Sequence, residues 1–125
     1  EVGGGKGFYL APTVFADVDP ASAIAQEEIF GPVLAVIPFD EPEEALQIAH
    51  STPYGLAAAV WTRDVGRALS MARDLRAGTV WVNAYNLYDP GLPFGGFGES
   101  GFGRDLGKDA LAAYTETKSV WINLD

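Results

Sequence analysis

The sequence predicts an α/β fold: an open, mostly parallel sheet with helical crossovers. Two observations carry this. Val33–Ile37 and Leu56–Trp61 are continuous apolar runs, the pattern of strands buried on both faces, and Thr79–Val82 is a third strand-like run. The segments between them carry apolar residues at helical spacing. Residues 33–83 therefore read β-α-β-α-β, and strands joined by helical crossovers lie parallel with right-handed connections.

The elements follow in order. Gly3-Gly4-Gly5-Lys6-Gly7 is a flexible lead-in and lacks the frame of a P-loop. Phe8–Leu10 and Thr13–Phe15 read as extended chain, and Pro12 between them suits an edge strand or a bulge. Asp19–Gln26 reads as a turn and a short helix. Gly31-Pro32 must end that helix, because Pro lacks a donor and biases its predecessor away from the helical region. Glu27 and Glu28 would then sit in the last turn, where the macrodipole disfavours acids by a few tenths to ~1 kcal/mol. On the residues alone this is either a solvated acidic turn or a carboxylate kept for a purpose.

Asp40 reads as an N-cap, with Pro42 in the first turn and Glu43 closing a capping box. That helix runs to about Ser51, and Pro53 and Gly55 close it. Asp64 caps the next helix, whose stripe is Val65, Ala68, Leu69, Ala72 and Leu75. Arg67, Arg73 and Arg76 take its exposed side, and Gly78 is the expected residue just past its end. Residues 84–107 form a long Gly-rich loop of the kind that is usually functional. Asp109–Tyr114 reads as a short helix. Ser119–Leu124 alternates, with Val120, Ile122 and Leu124 on one face, as a half-buried terminal strand with an open edge does.

Composition bounds the function. A chain of 125 residues with 48% hydrophobic content is one globular domain's worth. A formal net charge of -9 argues against nucleic acid and anionic membranes. No apolar run reaches about 18 residues and no signal-peptide pattern is present, so a soluble, cytoplasmic protein is expected. Zero Cys excludes disulfides and removes any thiol nucleophile. No cluster of metal-ligating residues is visible, so no metal site is expected. Glu1 in place of Met hints at a piece of a longer protein.

Several motifs invite sharper readings. Gly96-Phe97-Gly98-Glu99-Ser100-Gly101 spells GxGxxG but follows a loop and lacks its acidic partner, so it fails as a dinucleotide fingerprint. His50 sits at a helix end, where a ring can cap carbonyls. Ligands of open parallel sheets bind beyond the carboxyl ends of the strands, which makes the loop after Asn83 a candidate site wall. Asn83 itself reads as a strand-terminal turn residue. Unaided, Tyr85, Tyr88 and Phe94 read as loop-packing rings.

Glu27-Glu28-Ile29-Phe30-Gly31-Pro32-Val33, Tyr54-Gly55-Leu56-Ala57-Ala58, Gly78–Asn83, and Pro93-Phe94-Gly95-Gly96 with Ser100–Arg104 occur in the order found in one family. Together they resemble the NAD(P)-dependent aldehyde dehydrogenase superfamily over essentially the whole chain. The resemblance implies roughly the last quarter of a family member: residues 1–107 the C-terminal part of the catalytic domain, 108–125 a terminal helix and oligomerisation strand. It implies oxidation of an aldehyde to a carboxylic acid through a thiohemiacetal and a thioester, with NAD or NADP as hydride acceptor. The nucleophilic Cys, the general-base Glu and the dinucleotide domain would lie upstream, so no catalytic residue is expected here.

By the same resemblance, Glu28 accepts the nicotinamide-ribose hydroxyls and Phe30 packs on the nicotinamide ring. Tyr88 and Phe94 match positions lining the aldehyde channel, with Asn86 near its mouth. Ser119–Leu124 would join a neighbouring subunit in a homo-oligomer. Two departures are visible: similar sequences often carry Lys where this chain has Gly98, and Asn where it has His50. No Lys, Arg or His lies between Arg76 and Arg104, while Asp89 lies between Tyr88 and Phe94, so an aromatic or medium-chain aliphatic aldehyde is expected. The competing class is a non-catalytic association module that folds but, without the Cys, does no chemistry.

Overall fold

The structure is a computed structural model, and it describes residues 2–125. The chain divides into two compact units, Glu1–Thr52 and Pro53–Asp125, and residues 108–125 belong to the second. Both mix short strands with helices, so the α/β class holds.

In the first unit, β1 (Thr13–Phe15) pairs in parallel with β2 (Val33–Ala35), Thr13 opposite Val33 and Phe15 opposite Ala35. The pairing continues past the strand ends, where the Val18 amide donates to the Val36 carbonyl at 3.1 Å. Between the strands lies α1 (Ala23–Gln26), a single turn. Asp19 nucleates it by accepting from the Ala21 amide at 2.9 Å, an Asx turn. After β2 comes α2 (Pro42–Ala49), with Pro at its first position and Glu43 and Glu44 in its first turn. The N-cap is Glu41 and not Asp40. The reciprocal half of the capping box survives one residue later, with the Asp40 amide donating to the Glu44 carboxylate at 2.8 Å. His50 stands at the C-cap, the helix end expected for it, and its backbone amide donates to the Leu46 carbonyl.

In the second unit, β4 (Ala57–Val60) and β5 (Thr79–Val82) pair in parallel across α3 (Val65–Asp74), the expected β-α-β unit. Asp64 caps α3 by accepting from the Arg67 amide at 3.0 Å. That bond, first among its causes, holds the Asp64 carboxyl below the usual carboxylate range. A second sheet, invisible in the hydropathy pattern, pairs β3 (Tyr54–Gly55) antiparallel with β6 (Phe97–Gly98). Lys108–Tyr114 is a 3-10 helix where a short helix was expected.

Five expectations need correction. The sheet is not one open sheet: among the described residues three two-stranded sheets form, with β2 paired to β1 and β4 to β5. Nor is β2 covered on both faces, for Leu34 is 58% exposed while Val33 and Ala35 are half-buried. Within α3, Val65 and Leu69 are exposed; Ala68, Met71, Ala72 and Leu75 turn inward, a stripe rotated from the expected one. Gly78 is not the left-handed residue after α3, since Leu75 already leaves the helix in extended conformation. Its role is close approach: a Cβ there would lie 1.6 Å from the Gly95 carbonyl oxygen. Finally, Ser119–Leu124 is not half-buried: Val120, Ile122 and Leu124 are 69%, 73% and 92% exposed, and the segment pairs with no strand among the described residues.

Among the described residues no helix is long and apolar enough to cross a membrane.

Candidate functional site

The expected site residues fall in both units, and each group is built locally. In the first unit α1 ends at Gln26, five residues before Gly31-Pro32. The Gln26 side-chain amide turns back to the Pro20 carbonyl at 2.6 Å and to the Ser51 hydroxyl at 3.1 Å. Glu27 is an extended C-cap and Glu28 lies beyond the helix, so only Glu27 meets the negative end, and that of a single helical turn. What the Gly-Pro pair does is launch β2. The Pro32 carbonyl accepts from the Thr13 amide at 2.9 Å, and the Gly31 carbonyl accepts from the Val33 amide at 2.8 Å.

Just before that anchor the backbone of Phe30 is left-handed, φ 53°. For a bulky L-residue this is an outlier, and such strain clusters at ligand-binding positions. Its ring is 94% exposed, and Glu28, two residues back, is exposed as well. The ring and the carboxylate are thus both open to a ligand or to another part of a protein.

In the second unit the candidate wall begins where β5 ends. Asn83 also has positive φ, 52°. Its side-chain carbonyl accepts from the Thr62 amide and its side-chain amide donates to the Thr62 carbonyl, both at 2.8 Å. The side chain thus mimics one more peptide unit of the β4–β5 pairing. That is the structural role read for it from sequence, and it fixes the direction in which the loop leaves the sheet.

Beyond Asn83 the rings interlock. Trp81, 9% exposed, meets Tyr85 at 5.4 Å between centroids and Tyr88 at 5.6 Å, both edge to face. Tyr88 meets Phe94 at 5.1 Å and 85°. The Trp81 indole N–H donates to the Leu87 carbonyl at 2.8 Å, tying the loop to the strand beneath it. Asn86, φ 60°, accepts from the Tyr88 hydroxyl at 2.8 Å. Asp89 caps the next turn by accepting from the Gly91 amide at 2.7 Å. Phe94 exchanges two backbone bonds of 2.7 Å with Asp105, and it lines a cleft of about 200 Å³ with Leu56, Ser100, Phe102 and Arg104. The structure therefore brings Asn86, Tyr88 and Phe94 together.

Sequence reasoning missed Trp81, the ring on which this wall stands. Its signal was present: the large residue at an inward position of β5, four residues before Tyr85. Sequence reasoning also missed β3–β6 and, within it, the approach of Gly98 to the Pro53 carbonyl, which leaves 2.4 Å for a Cβ at φ 58°. The GxGxxG run is thus half of a two-stranded ladder followed by a turn, in keeping with its rejection as a dinucleotide fingerprint.

Residues 1–120 match the family model described as the aldehyde dehydrogenase family. The chain belongs to that family. It is 53% identical over 119 residues to a putative aldehyde dehydrogenase, DhaS, of Bacillus subtilis, covering 95% of this chain and 24% of that protein. It is equally 53% identical over 116 residues to the NADP/NAD-dependent aldehyde dehydrogenase PuuC of Escherichia coli, covering 93% and 23%. Among solved structures, P. syringae AldA, an indole-3-acetaldehyde dehydrogenase in complex with NAD+ and IAA, superposes with TM-score 0.86 at 59% identity, over 93% of this chain and 23% of that one. An NAD+ complex of the Bacillus cereus aldehyde dehydrogenase gives TM-score 0.88 at 52% identity, over 96% and 24%. The chain thus spans about a quarter of the aldehyde dehydrogenases it matches.

Proposed function

We propose that this chain is the C-terminal part of an aldehyde dehydrogenase that oxidises an aldehyde to a carboxylic acid with NAD(P)+. It supplies one wall of the nicotinamide site and part of the substrate channel. The observation that carries the reading is the 59% identity to a structure holding both NAD+ and IAA. Surface area adds independent support. The chain exposes 10178 Å², whereas a self-contained protein of its mass exposes about 6,450 Å², and two separate globules of its two units about 7,800 Å². The excess, much of it apolar, is surface suited to being covered by the rest of a larger protein.

In that protein NAD(P)+ accepts the hydride. Glu28 holds the ribose hydroxyls next to the nicotinamide by accepting hydrogen bonds, and the Phe30 ring limits where the nicotinamide plane can lie. Asn86, Tyr88 and Phe94 face the aldehyde and keep water from its path. Ser119–Leu124 offers an unpaired backbone edge to a neighbouring subunit.

The test is single-turnover hydride transfer in the complete enzyme with Glu28→Gln. Transfer is expected to fall by roughly 100-fold, with NAD+ affinity much less affected, because a misplacement of about 1 Å suffices for such a loss. Unchanged hydride transfer removes the role assigned to Glu28. Absence of aldehyde-dependent NAD(P)H formation in the unmutated enzyme refutes the whole reading.

A further inference from the structure

Tyr88 differs from the other rings of the wall in carrying a hydroxyl whose partner lies two residues away. Asn86 takes a left-handed backbone, φ 60°, and its side-chain oxygen accepts the Tyr88 hydroxyl at 2.8 Å. Below, Trp81 meets the Tyr88 ring edge to face at 88°; alongside, Phe94 meets it at 85°. A tyrosine ring turns about two side-chain bonds. Packing against Trp81 and Phe94 limits the turn of the ring about its own axis, and the hydrogen bond at the far tip, which lies on that axis, holds the swing of the whole side chain about its first bond.

We propose, building on the reading above, that Asn86 is a positioning residue that acts through Tyr88. By holding the hydroxyl it presets the ring for offset or edge stacking against an aromatic aldehyde, and so sets the preference for aryl over alkyl substrates. A flexible alkyl chain can follow a ring that shifts. A flat ring stacks within a narrow range of angles and loses contact when Tyr88 swings. The left-handed backbone belongs to the device, because Asn is among the few residues that take it at low cost and also offer a short acceptor.

The complete enzyme serves for the test, with kcat/KM measured for phenylacetaldehyde and for hexanal. Tyr88→Phe removes only the donor. Asn86→Gly removes the acceptor with its side chain and keeps the positive φ accessible. Each variant is expected to lower the phenylacetaldehyde-to-hexanal ratio by about threefold to tenfold, the worth of one neutral hydrogen bond. The double variant is expected to lower it no further than either single one, since both break the same bond. Asn86→Asp, which keeps an acceptor at that φ, is expected to restore the ratio. Ratios that stay at the unmutated value, or losses that add in the double variant, overturn the proposal. Failure of the unmutated enzyme to oxidise either aldehyde is a different result and strikes the functional reading instead.

Discussion

Replacing Gly78 by Ala tests the tightest junction of the second unit. Gly78 immediately precedes β5, and its amide donates to the Gly55 carbonyl at 3.0 Å. A Cβ built on it would lie 1.6 Å from the Gly95 oxygen and 2.7 Å from the Gly95 carbonyl carbon, inside the 3.0 Å that real Cβ atoms keep. Both obstacles are backbone, so no rotamer change relieves the clash. The strand and the Gly95-Gly96 segment must part by roughly 1.4 Å, an overpacking that costs about 1–3 kcal/mol. The parting also stretches the Gly78–Gly55 bond and the bond from the Arg104 guanidinium to the Gly96 carbonyl. Each lost bond adds about 0.5–1.5 kcal/mol, for a total of about 2–6 kcal/mol. For a unit of this size, with a urea dependence of about 1 kcal/mol per molar, the midpoint should fall by about 2 M or more. Trp81 emission reports it, with exposed Trp61 and Trp121 replaced by Phe. Gly66→Ala, on α3 with its nearest atom the Asp64 carboxylate at 3.2 Å, is the comparator and should hold or gain stability. A Gly78→Ala midpoint within about 0.3 M of the parent would refute the close approach.

Three further outcomes follow from the same geometry. Asn83→Gly keeps the left-handed backbone but loses both bonds to Thr62, so it should cost about 1–3 kcal/mol; Asn83→Ala adds the αL penalty of about 1–2 kcal/mol, and equal costs for the two by urea titration would contradict the assigned φ. Asp64 titrates below the usual carboxylate value, so its cap is fully present above the unfolded pKa of about 3.9 and is lost as pH falls through the lower folded value. Hydrogen exchange at the Arg67 amide should accelerate, beyond its intrinsic pH dependence, across that acid window and in Asp64→Ala at all pH; protection indifferent to both removes the cap. Deleting residues 119–125 should reduce self-association of the 125-residue chain, and sedimentation showing the full chain already monomeric at high concentration argues against an association edge.

What the sequence made legible was local. Asp64 three residues before Arg67, Pro42 at a helix start and apolar runs of strand length each carry their reason within a few residues, and each produced its element. The misses share a different cause. The β3–β6 ladder joins residues more than forty apart, through two-residue strands with no periodicity to read. Burial on both faces of β2 and the inward direction of α3 depend on what lies against them. An apolar run states only that cover is wanted, and Leu34, Val65 and Leu69 show that this chain does not provide it. The Gly-Pro pair was read as a helix stop because Pro forbids helix before it; α1 had already ended at Gln26, whose side chain turns back to Pro20.

The two candidate walls differ in how far they stand alone. The substrate wall is closed within residues 81–94: Trp81 carries Tyr85 and Tyr88, Tyr88 meets Phe94, and the indole and hydroxyl bonds span two to six residues. Its shape is therefore encoded largely where it is used, with ties to the rest of the unit through β5, the Asn83–Thr62 bonds, the Phe94–Asp105 bridge and the Gly107 amide, which donates to the Pro90 carbonyl at 2.9 Å. The cofactor loop has the opposite character. Glu28 and Phe30 hang between a one-turn helix and a three-residue strand, and Phe30 is 94% exposed. A strained, exposed ring of this kind gains its packing only when a ligand or another part of a protein arrives. On the function proposed above, binding of NAD(P)+ should therefore order the Phe30 bend far more than the Trp81–Phe94 wall, and hydrogen exchange with and without NAD+ in the complete enzyme checks it.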